Sequence, residues 1–342
     1  MSDFAEAVRA RMREDWNRRA VEDANYYVAF GRRDQDAEEF FSTAREVVLG
    51  LESEMRRMPV AANPRARRAL EIGCGPGRLL KPMSRHFGEI HGVDVSGEMI
   101  PLARENLAGI PHAHAHETSG ADLAAFADES FDFVYSYAVF QHIPDREVVF
   151  SYLCEARRVM KPGAIFRAQF NALPDTARTY DTWSGARIPA HEVARFALDN
   201  DFQLLALEGI STQYLWTTWR KRPSGWCSGL AGRAPAETAR IAKITNANGS
   251  EPLVPAAGRF AFASLWISGL GSEFDLNHAQ VLIDGRAAVL SYIGPPEADG
   301  IAQMNVQVPP GTRTGLVDVE LLWLGRPIAP PASQGLRSRH GC

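Results

Sequence analysis

The fold of this chain is decided by seven residues, Glu71-Ile72-Gly73-Cys74-Gly75-Pro76-Gly77. They overlap the end of a strand candidate, Ala69–Ile72, and precede a stretch with helical spacing, Arg78–Phe87. Glycines at this place let the backbone turn tightly and approach a ligand closely at the N-terminus of the helix. Asp94 ends the next predicted strand, 21 residues after Gly73, where a carboxylate can accept hydrogen bonds from both hydroxyls of a ribose. The loop and the acid together predict an adenosine-containing ligand.

On both sides of this loop, short apolar runs alternate with amphipathic ones from about residue 65 to residue 222. Strands are predicted at Ile90–Val93, His112–Glu117, Phe131–Phe140 and Ala164–Phe170, with helices between them. This alternation is typical of a mainly parallel sheet that is covered by helices on both faces. Residues 65–222 are therefore predicted to form one α/β domain.

The segments that flank this domain have different patterns. Residues 1–64 carry apolar side chains at helical spacing, which predicts a helical arm or lid. Residues 223–252 are rich in Gly, Ala, Pro and Ser and are predicted to be a linker. In residues 253–327 the apolar period changes to two, as between Ala302 and Val308, which predicts a small all-β sandwich. Residues 328–342 are predicted to be a frayed tail.

Composition excludes several classes of protein. The chain has 342 residues, 45% of them hydrophobic and 23% charged, which is typical of an ordinary globular protein of about two domains. The net charge of −4 gives no basic field for nucleic acid or for an anionic membrane surface. No apolar run approaches the length of a membrane span, and no secretory signal is visible at the start. Four scattered cysteines are read as thiols in a reducing compartment, so a cytoplasmic location is predicted.

The glycine pattern indicates which adenosine ligand is bound. A dinucleotide loop of the form G-x-G-x-x-G needs a glycine at position 78, where this chain has Arg78. The pattern G-x-G-x-G behind Glu71 instead resembles the class I S-adenosylmethionine-dependent methyltransferases, of the type 11/25-like group. Asp94, Phe131–Pro144 and Arg158–Gly163 continue the resemblance in the family's order, over roughly residues 65–220. It implies a Rossmann-like α/β domain with a seven-stranded mixed sheet, here with N-terminal helices and a C-terminal all-β domain.

The resemblance also implies a set of residues that bind S-adenosylmethionine. The three glycines would pass under the methionine part, Glu71 would anchor the loop or the ammonium group, and Asp94 would hold the ribose. Asp122 is the acid nearest to the family's adenine-contacting position, although an exposed loop acid is an equally open reading. The cofactor-binding residues implied in this way are Glu71, Gly73, Cys74, Gly75, Gly77, Asp94, Val95, Asp122, Leu123 and Tyr137. Cys74 is expected to be structural, because a nucleophile at this point would clash with the cofactor.

His142 is the candidate catalytic residue. It lies in the stretch Gln141-His142-Ile143-Pro144 after a predicted strand, at the edge of the sheet where ligands bind. A base is needed only where the accepting atom loses a proton, and a histidine has a suitable pKa for that work. The alternative is that His142 makes hydrogen bonds within its own loop.

Other candidates concern the acceptor and metal binding. Tyr26, Trp183 and Arg187 are candidates for contacts with the substrate. Trp183 and Arg187 could stack on it and pair with its charge, with an ordinary loop as the open alternative. Tyr26 could form a lid over the cofactor together with Trp16 and Tyr27, with core packing as the open alternative. His112, His114 and His116 alternate along a predicted strand, but no metal site is predicted, because methyl transfer needs no metal and no other ligand lies convincingly nearby.

These observations predict methyl transfer from S-adenosylmethionine to a small-molecule acceptor, without nucleic-acid or membrane partners. A non-catalytic scaffold that binds the cofactor or a partner is the main alternative, and an NAD-dependent oxidoreductase is a weaker one. The C-terminal segment, through stretches such as Asn305–Gly311, looks similar to immunoglobulin-like domains of the IPT/TIG type. It is a candidate for binding a protein partner or for self-association.

Overall fold

The computed structural model describes residues 3–176, 179–230, 239–249, 251 and 253–338. Contacts divide the chain into two compact units. The first unit is Met1–Val193 with Gly209–Lys221, and the second is Ala194–Glu208 with Arg222–Cys342.

Helices are concentrated in the first two thirds of the chain. In the described residues they are α1 (Asp3–Ala29), α2 (Ala37–Ser42), α3 (Arg45–Met55), α4 (Leu80–Met83), α5 (Met99–Asn106), α6 (Arg146–Val159), α7 (Ala190–Asp199) and α8 (Trp226–Gly229). Helix α1 is interrupted at Asp23, which has extended backbone angles, and the Asp23 carboxylate accepts the N–H of Tyr26 as the helix restarts. None of the helices in the described residues is both long enough and apolar enough to cross a lipid bilayer.

Strands run through both units. They are β1 (Arg68–Ile72), β2 (Glu89–Asp94), β3 (Ala113–Glu117), β4 (Phe131–Ser136), β5 (Met160–Phe170), β6 (Phe202–Glu208), β7 (Leu215–Lys221), β8 (Arg240–Asn246), β9 (Val254–Pro255), β10 (Phe262–Ser268), β11 (Ala279–Ile283), β12 (Arg286–Ala287), β13 (Val289–Ile293), β14 (Ile301–Gln307), β15 (Gly315–Trp323), β16 (Arg326–Pro327) and β17 (Ala332–Arg337).

The first unit is built on a sheet with the strand order β3-β2-β1-β4-β5-β7. Strands β1 to β5 are parallel, and β7 pairs antiparallel with β5, so the sheet is mixed as predicted. Ala69, Leu70, Phe133 and Val134 on the central strands are fully buried, as expected for strands covered on both faces. The strand order reverses between β1 and β4, which opens a crevice at their carboxyl ends.

Helix α6 shows why the flanking helices pack where they do. It begins at Asp145, whose carboxylate accepts the N–H groups of Glu147 and Val148. One face carries Val149 and Leu153, both fully buried, so the apolar stripe read from the sequence is the face that is removed from water.

The second unit is largely β, as predicted. One antiparallel sheet has the order β6-β13-β14-β10-β8. The other has the order β12-β11-β15-β17-β9 with β16 paired to β15, and it is antiparallel except for the parallel pair of β17 and β9. Alternate residues of β14 and β15, such as Met304, Val306, Val319 and Leu321, are buried. Buried side chains from both sheets form one hydrophobic cluster.

Two stretches differ from their predicted character. Strand β8 lies within the predicted linker 223–252, and strand β17 lies within the predicted tail 328–342. Both strands are short and carry few apolar side chains, and they depend on pairing with β10 and β15. Residues 231–238, 250 and 252 of the linker and 339–342 of the tail lie outside the described residues.

Candidate functional site

A cavity in the first unit lies at the carboxyl ends of β1, β2 and β4. Its walls come from helix α1, from the glycine loop, and from the segments that follow β2 and β4. Eight of the predicted site residues line it together: Glu71, Gly73, Cys74, Gly75, Asp94, Val95, Tyr137 and His142. Residues that are distant in sequence thus meet at the edge of the sheet where the strand order reverses.

The glycine loop is held against β2 by its own backbone. The N–H groups of Gly73 and Cys74 both donate to the carbonyl of Val93, at 2.8 and 2.9 Å. Gly73 has φ +76°, and a Cβ at this position would lie 2.2 Å from a Val139 methyl carbon. A side chain at position 73 is therefore excluded both by the backbone conformation and by the loop after β4, which approaches this glycine closely.

Asp94 is tied to the loop that it faces. One carboxylate oxygen accepts the N–H of Gly75 and the other accepts the N–H of Ser96, each at 2.9 Å. Burial raises the pKa of Asp94, while these backbone hydrogen bonds act in the opposite direction. Each oxygen keeps a further lone pair, so the carboxylate can accept additional hydrogen bonds from a ligand.

Glu71 lies deeper, at the base of the cavity. Its side chain is 3% exposed and accepts a hydrogen bond from the Tyr135 hydroxyl at 3.0 Å. Burial raises the pKa of Glu71 to about 8, so the carboxyl group of the free protein is largely protonated at neutral pH. A protonated carboxyl can donate as well as accept a hydrogen bond.

The orientation of His142 follows from a chain of hydrogen bonds. The Ala138 N–H donates to Gln169 Oε1, so Gln169 Nε2 donates to Gln141 Oε1. Gln141 Nε2 then faces His142 Nε2, and His142 Nδ1 lies 3.0 Å from the carbonyl of Trp183, which can only accept. The proton is therefore on Nδ1, and the lone pair of Nε2 is directed at the Gln141 amide.

The same surroundings keep His142 neutral. It is 5% exposed, and burial lowers the pKa of its imidazole to about 4. Its Nε2 has a partner in its own loop, the Gln141 amide, whereas its Nδ1 has one in the segment after β5, the carbonyl of Trp183. A catalytic role for His142 stays a prediction.

Helix α1 covers the cavity. Met12 and Trp16 line it, and Asn17 Oδ1 accepts a hydrogen bond from the Ser96 hydroxyl at 2.8 Å. Further along the helix, Asp15 and Arg19 both bind Thr182, in the segment after β5. The arm is thus attached at two sides of the crevice, in the position of a lid.

A second cavity adjoins the first. The two share Val28, Phe30, Arg78, Tyr137, Ala138 and His142. The second cavity is completed by Ala29, Gln141, Trp183, Gln213 and Tyr214. Trp183, a predicted substrate residue, therefore lies beside the second cavity and is 48% exposed.

Five predicted site residues do not line either cavity. The Gly77 N–H closes the turn by donating to the carbonyl of Cys74. The Asp122 carboxylate binds the Ser119 hydroxyl and the Ala124 N–H, and the Leu123 N–H donates to Glu155. Tyr26 contacts the rings of Tyr27 and Phe30, whereas Arg187 stacks over Tyr180. The roles predicted for these five residues stay predictions.

The three alternating histidines His112, His114 and His116 do not form one group in the structure. His114 and His116 lie beside His91 of the neighbouring strand, with ring centroids 5.0 and 5.3 Å away, whereas His112 faces the carbonyl of Ser84. In the described part of the chain, no group of three or more His, Cys, Asp or Glu side chains is suited to hold a metal ion.

Sequence reasoning missed several residues of these walls. Arg78, Met99, Tyr152 and Tyr214 line one or both cavities without belonging to the recognised pattern. Trp16 and Tyr27, which the sequence offered as part of a lid, line the first cavity. Arg78 directly follows the glycine loop, so its position was a signal as well.

Comparison with known proteins adds a family match for part of the chain. Residues 70–168 match the family described as "Methyltransferase domain". The ubiquinone biosynthesis O-methyltransferase of Cereibacter sphaeroides is 35% identical over 98 residues, which are 29% of this chain and 38% of that protein. The phosphoethanolamine N-methyltransferase 2 of Caenorhabditis elegans is 36% identical over 96 residues, 28% of this chain and 21% of that protein. The chain thus spans well under half the length of these two curated relatives.

Solved structures of similar proteins share little sequence with this chain. The magnesium protoporphyrin IX methyltransferase of Synechocystis PCC 6803 with bound S-adenosylmethionine aligns with 63% of this chain and 97% of its own, at 15% identity and a TM-score of 0.45. The phosphoethanolamine N-methyltransferase 1 of Haemonchus contortus aligns with 66% of this chain and 51% of its own, at 15% identity and a TM-score of 0.45.

Proposed function

We propose that this chain, whose residues 70–168 match the methyltransferase domain, transfers a methyl group from S-adenosylmethionine to a small-molecule acceptor. One observation carries the proposal. The glycine loop and the Asp94 carboxylate form one wall of a cavity at the point where the strand order reverses, inside the segment that matches the family.

The residues of this cavity suit the cofactor chemically. Asp94 offers two oxygens with free lone pairs for the ribose hydroxyls, and Gly73 and Gly75 leave room for close approach because they lack a Cβ. When bound, S-adenosylmethionine supplies a methyl group on a positively charged sulfur, which a nucleophile displaces in line. Positioning of the nucleophile about 3 Å from that methyl supplies much of the rate. Trp16 and Met12 on the lid would exclude water from the reacting groups.

We propose that His142 acts at the boundary between the two cavities, through Nε2. This nitrogen carries the lone pair, which the Gln141 amide occupies in the free protein, so an acceptor hydroxyl or ammonium group would have to displace that amide before Nε2 takes its proton. A general-base role predicts that His142→Gln lowers the rate of methyl transfer while cofactor affinity stays within about threefold. A purely structural role predicts a loss of thermal stability without a specific loss of rate.

Calorimetric titration of the full chain with S-adenosylhomocysteine and, separately, with NADH tests the main proposal. Binding of S-adenosylhomocysteine at micromolar strength and no binding of NADH is the expected result. Binding of NADH alone would support the oxidoreductase instead. Binding of neither would support the scaffold, as would tight cofactor binding with no transfer of labelled methyl across a broad acceptor panel.

We also propose a cytoplasmic location, because S-adenosylmethionine is an intracellular cofactor.

For the C-terminal β-rich unit we propose an immunoglobulin-like identity. Support for this identity is the single hydrophobic cluster between two largely antiparallel sheets. This unit could bind a protein partner or mediate self-association, and light scattering on the full chain over a hundredfold range of concentration tests the self-association. A constant monomer mass would exclude self-association at those concentrations.

A further inference from the structure

Arg78 is a buried cation without a countercharge. It is 6% exposed, its Nη1 donates to the carbonyl and hydroxyl oxygens of Thr43, both at 3.3 Å, and the guanidinium lies over the Tyr137 ring, 5.2 Å from its centroid, where the Tyr137 side chain is also a hydrogen-bond partner. Its Nε has no hydrogen-bond partner among the described residues, and within them no carboxylate forms an ion pair with it. Burying a charged guanidinium without a paired anion costs free energy, so a nearby negative charge would stabilise the charged form of Arg78.

Glu71 is the carboxyl group that acts on Arg78 most directly, and it gives little compensation. The two interact electrostatically without reaching ion-pair distance. The Glu71 carboxyl already accepts the Tyr135 hydroxyl, and it is largely protonated in the free protein. The negative charge that would pair with Arg78 therefore has to come from a bound molecule.

Arg78 faces the second cavity as well as the first. The second cavity includes neither the glycine-loop residues 73–75 nor Asp94, and Tyr137 is the one predicted cofactor-binding residue that the described lining shares with the first cavity. Among the described residues that line it, none carries a carboxylate, and the neutral His142 adds no charge. Arg78 is thus the charged group of this cavity, and the field that it creates favours an anion.

The walls of the second cavity favour a flat, aromatic molecule. Phe30 and Trp183 meet edge to face at 5.4 Å, and Tyr137 stacks on Trp216 with an interplanar angle of 6°. Phe30, Trp183 and Tyr214 are each about half exposed, which is unusual for large aromatic side chains gathered around one opening. Their rings offer stacking surfaces, while the amides of Gln141 and Gln213 offer hydrogen bonds.

We propose that Arg78 binds an anionic group of the methyl acceptor, and that the acceptor is a planar aromatic carboxylate or phosphate bound in the second cavity. The proposal rests on the methyltransferase function proposed above. Arg78 is a specificity residue in this scheme: it orients the acceptor at the boundary between the two cavities and takes no part in breaking or forming a bond.

The test uses the full chain saturated with S-adenosylhomocysteine, titrated with benzoate, phenyl phosphate and the neutral analogue benzamide. Arg78→Met removes the charge and Arg78→Lys retains it without the planar donor fork. Gln213→Glu places a negative charge in the second cavity, where it would repel an anionic ligand. The Gln213 side chain is exposed, so this substitution should affect folding little. Arg104→Met is the matched control, since Arg104 binds the carbonyl of Ala115 away from both cavities.

At least one anion is expected to bind ten times more tightly than benzamide. Arg78→Met and Gln213→Glu should each reduce that preference at least fivefold and leave the affinity for S-adenosylhomocysteine within threefold, with Arg78→Lys intermediate and Arg104→Met unchanged. Equal binding of the anions and benzamide would overturn the proposal. So would an equal loss of benzoate and S-adenosylhomocysteine in Arg78→Met, because the guanidinium would then serve the cofactor's carboxylate.

Failure of the proposed function is distinguishable from failure of this inference. Absence of S-adenosylhomocysteine binding to the unaltered protein would contradict the function itself. The anion preference and its dependence on Arg78 are then measured without that ligand, and they support or overturn the charge-selective cavity on their own.

Discussion

Asp94→Asn is the substitution that tests the cofactor site most directly. The side chain keeps its shape, but one oxygen becomes an NH₂ group and the negative charge is lost. Because the two oxygens accept the N–H groups of Gly75 and Ser96, the new NH₂ must face one of these donors. The carboxamide therefore loses one internal hydrogen bond and at least one acceptor position for a ribose hydroxyl.

The expected magnitude follows from these lost contacts. A hydrogen bond to a charged group contributes about 1.5–3 kcal/mol, which corresponds to a roughly 10- to 150-fold weaker affinity for S-adenosylhomocysteine. Folding should also be affected, because the carboxamide leaves one backbone N–H facing an NH₂ group, and a buried donor without an acceptor costs about 1–3 kcal/mol. Burial raises the pKa of Asp94, so loss of the charge itself adds little to that cost in the free protein.

Isothermal titration of S-adenosylhomocysteine measures the affinity, and urea unfolding monitored by circular dichroism measures the stability. Asp122→Asn is the control, because the Asp122 carboxylate binds Ser119 and Ala124 and does not line the cavity. The control should bind within about twofold of the unaltered protein. An unchanged affinity in a folded Asp94→Asn variant would refute the reasoning, and so would an equal loss in both variants.

Three further outcomes follow from the cavity. The pKa of Glu71 is raised to about 8, so between about pH 5 and 8 the folded state holds a proton that the unfolded state has released, and stability falls as the pH rises. Glu71→Gln should remove this fall, as measured by urea unfolding at each pH. Parallel plots of stability against pH for the variant and the unaltered protein would contradict this. Gly73→Ala should destabilise the fold by about 2 kcal/mol or more, and Val139→Ala should restore part of this loss by removing the methyl groups that the new Cβ would meet. Gly109→Ala is the control, because Gly109 also has a positive φ but has open space around it, and it should cost about 1 kcal/mol in the same assay. The His142 imidazole, whose pKa is about 4, should give nitrogen chemical shifts of a neutral ring protonated on Nδ1 from pH 5.5 to 8, and a titration near pH 6.5 would contradict its burial.

The fold of the first unit could be predicted because its signals are local. A glycine loop after a strand needs small residues at fixed positions, and alternating strands and helices allow few topologies. The strand order β3-β2-β1-β4-β5-β7 confirms the mixed Rossmann-like sheet. The β character of the second unit was equally local, because burial of every second residue in β14 and β15 appears directly in the sequence.

The short strands β8 and β17 could not be predicted in the same way. Each carries more polar than apolar side chains, and each pairs with a neighbouring strand of its sheet, β8 with β10 and β17 with β15. Strand propensity mostly reflects such neighbours rather than the backbone itself. The pattern of Ala332–Arg337, with Gly335 and Ser333 within it, therefore gave no signal of its own.

The same distinction explains which parts of the site were missed. Glu71, Gly73 and Asp94 belong to two short stretches, the glycine loop and the end of β2, whose residue types alone make them candidates for binding the cofactor. The role proposed for Arg78 depends on Tyr137 and Tyr214, which line the second cavity with it and come from the segments next to β4 and β7. Features that would select an acceptor are of this second kind, because the side chains around the second cavity come from helix α1 and from the segments next to β4, β5 and β7. The local pattern therefore identifies the cofactor, while the class of acceptor has to be argued from the charge and shape of the assembled cavity.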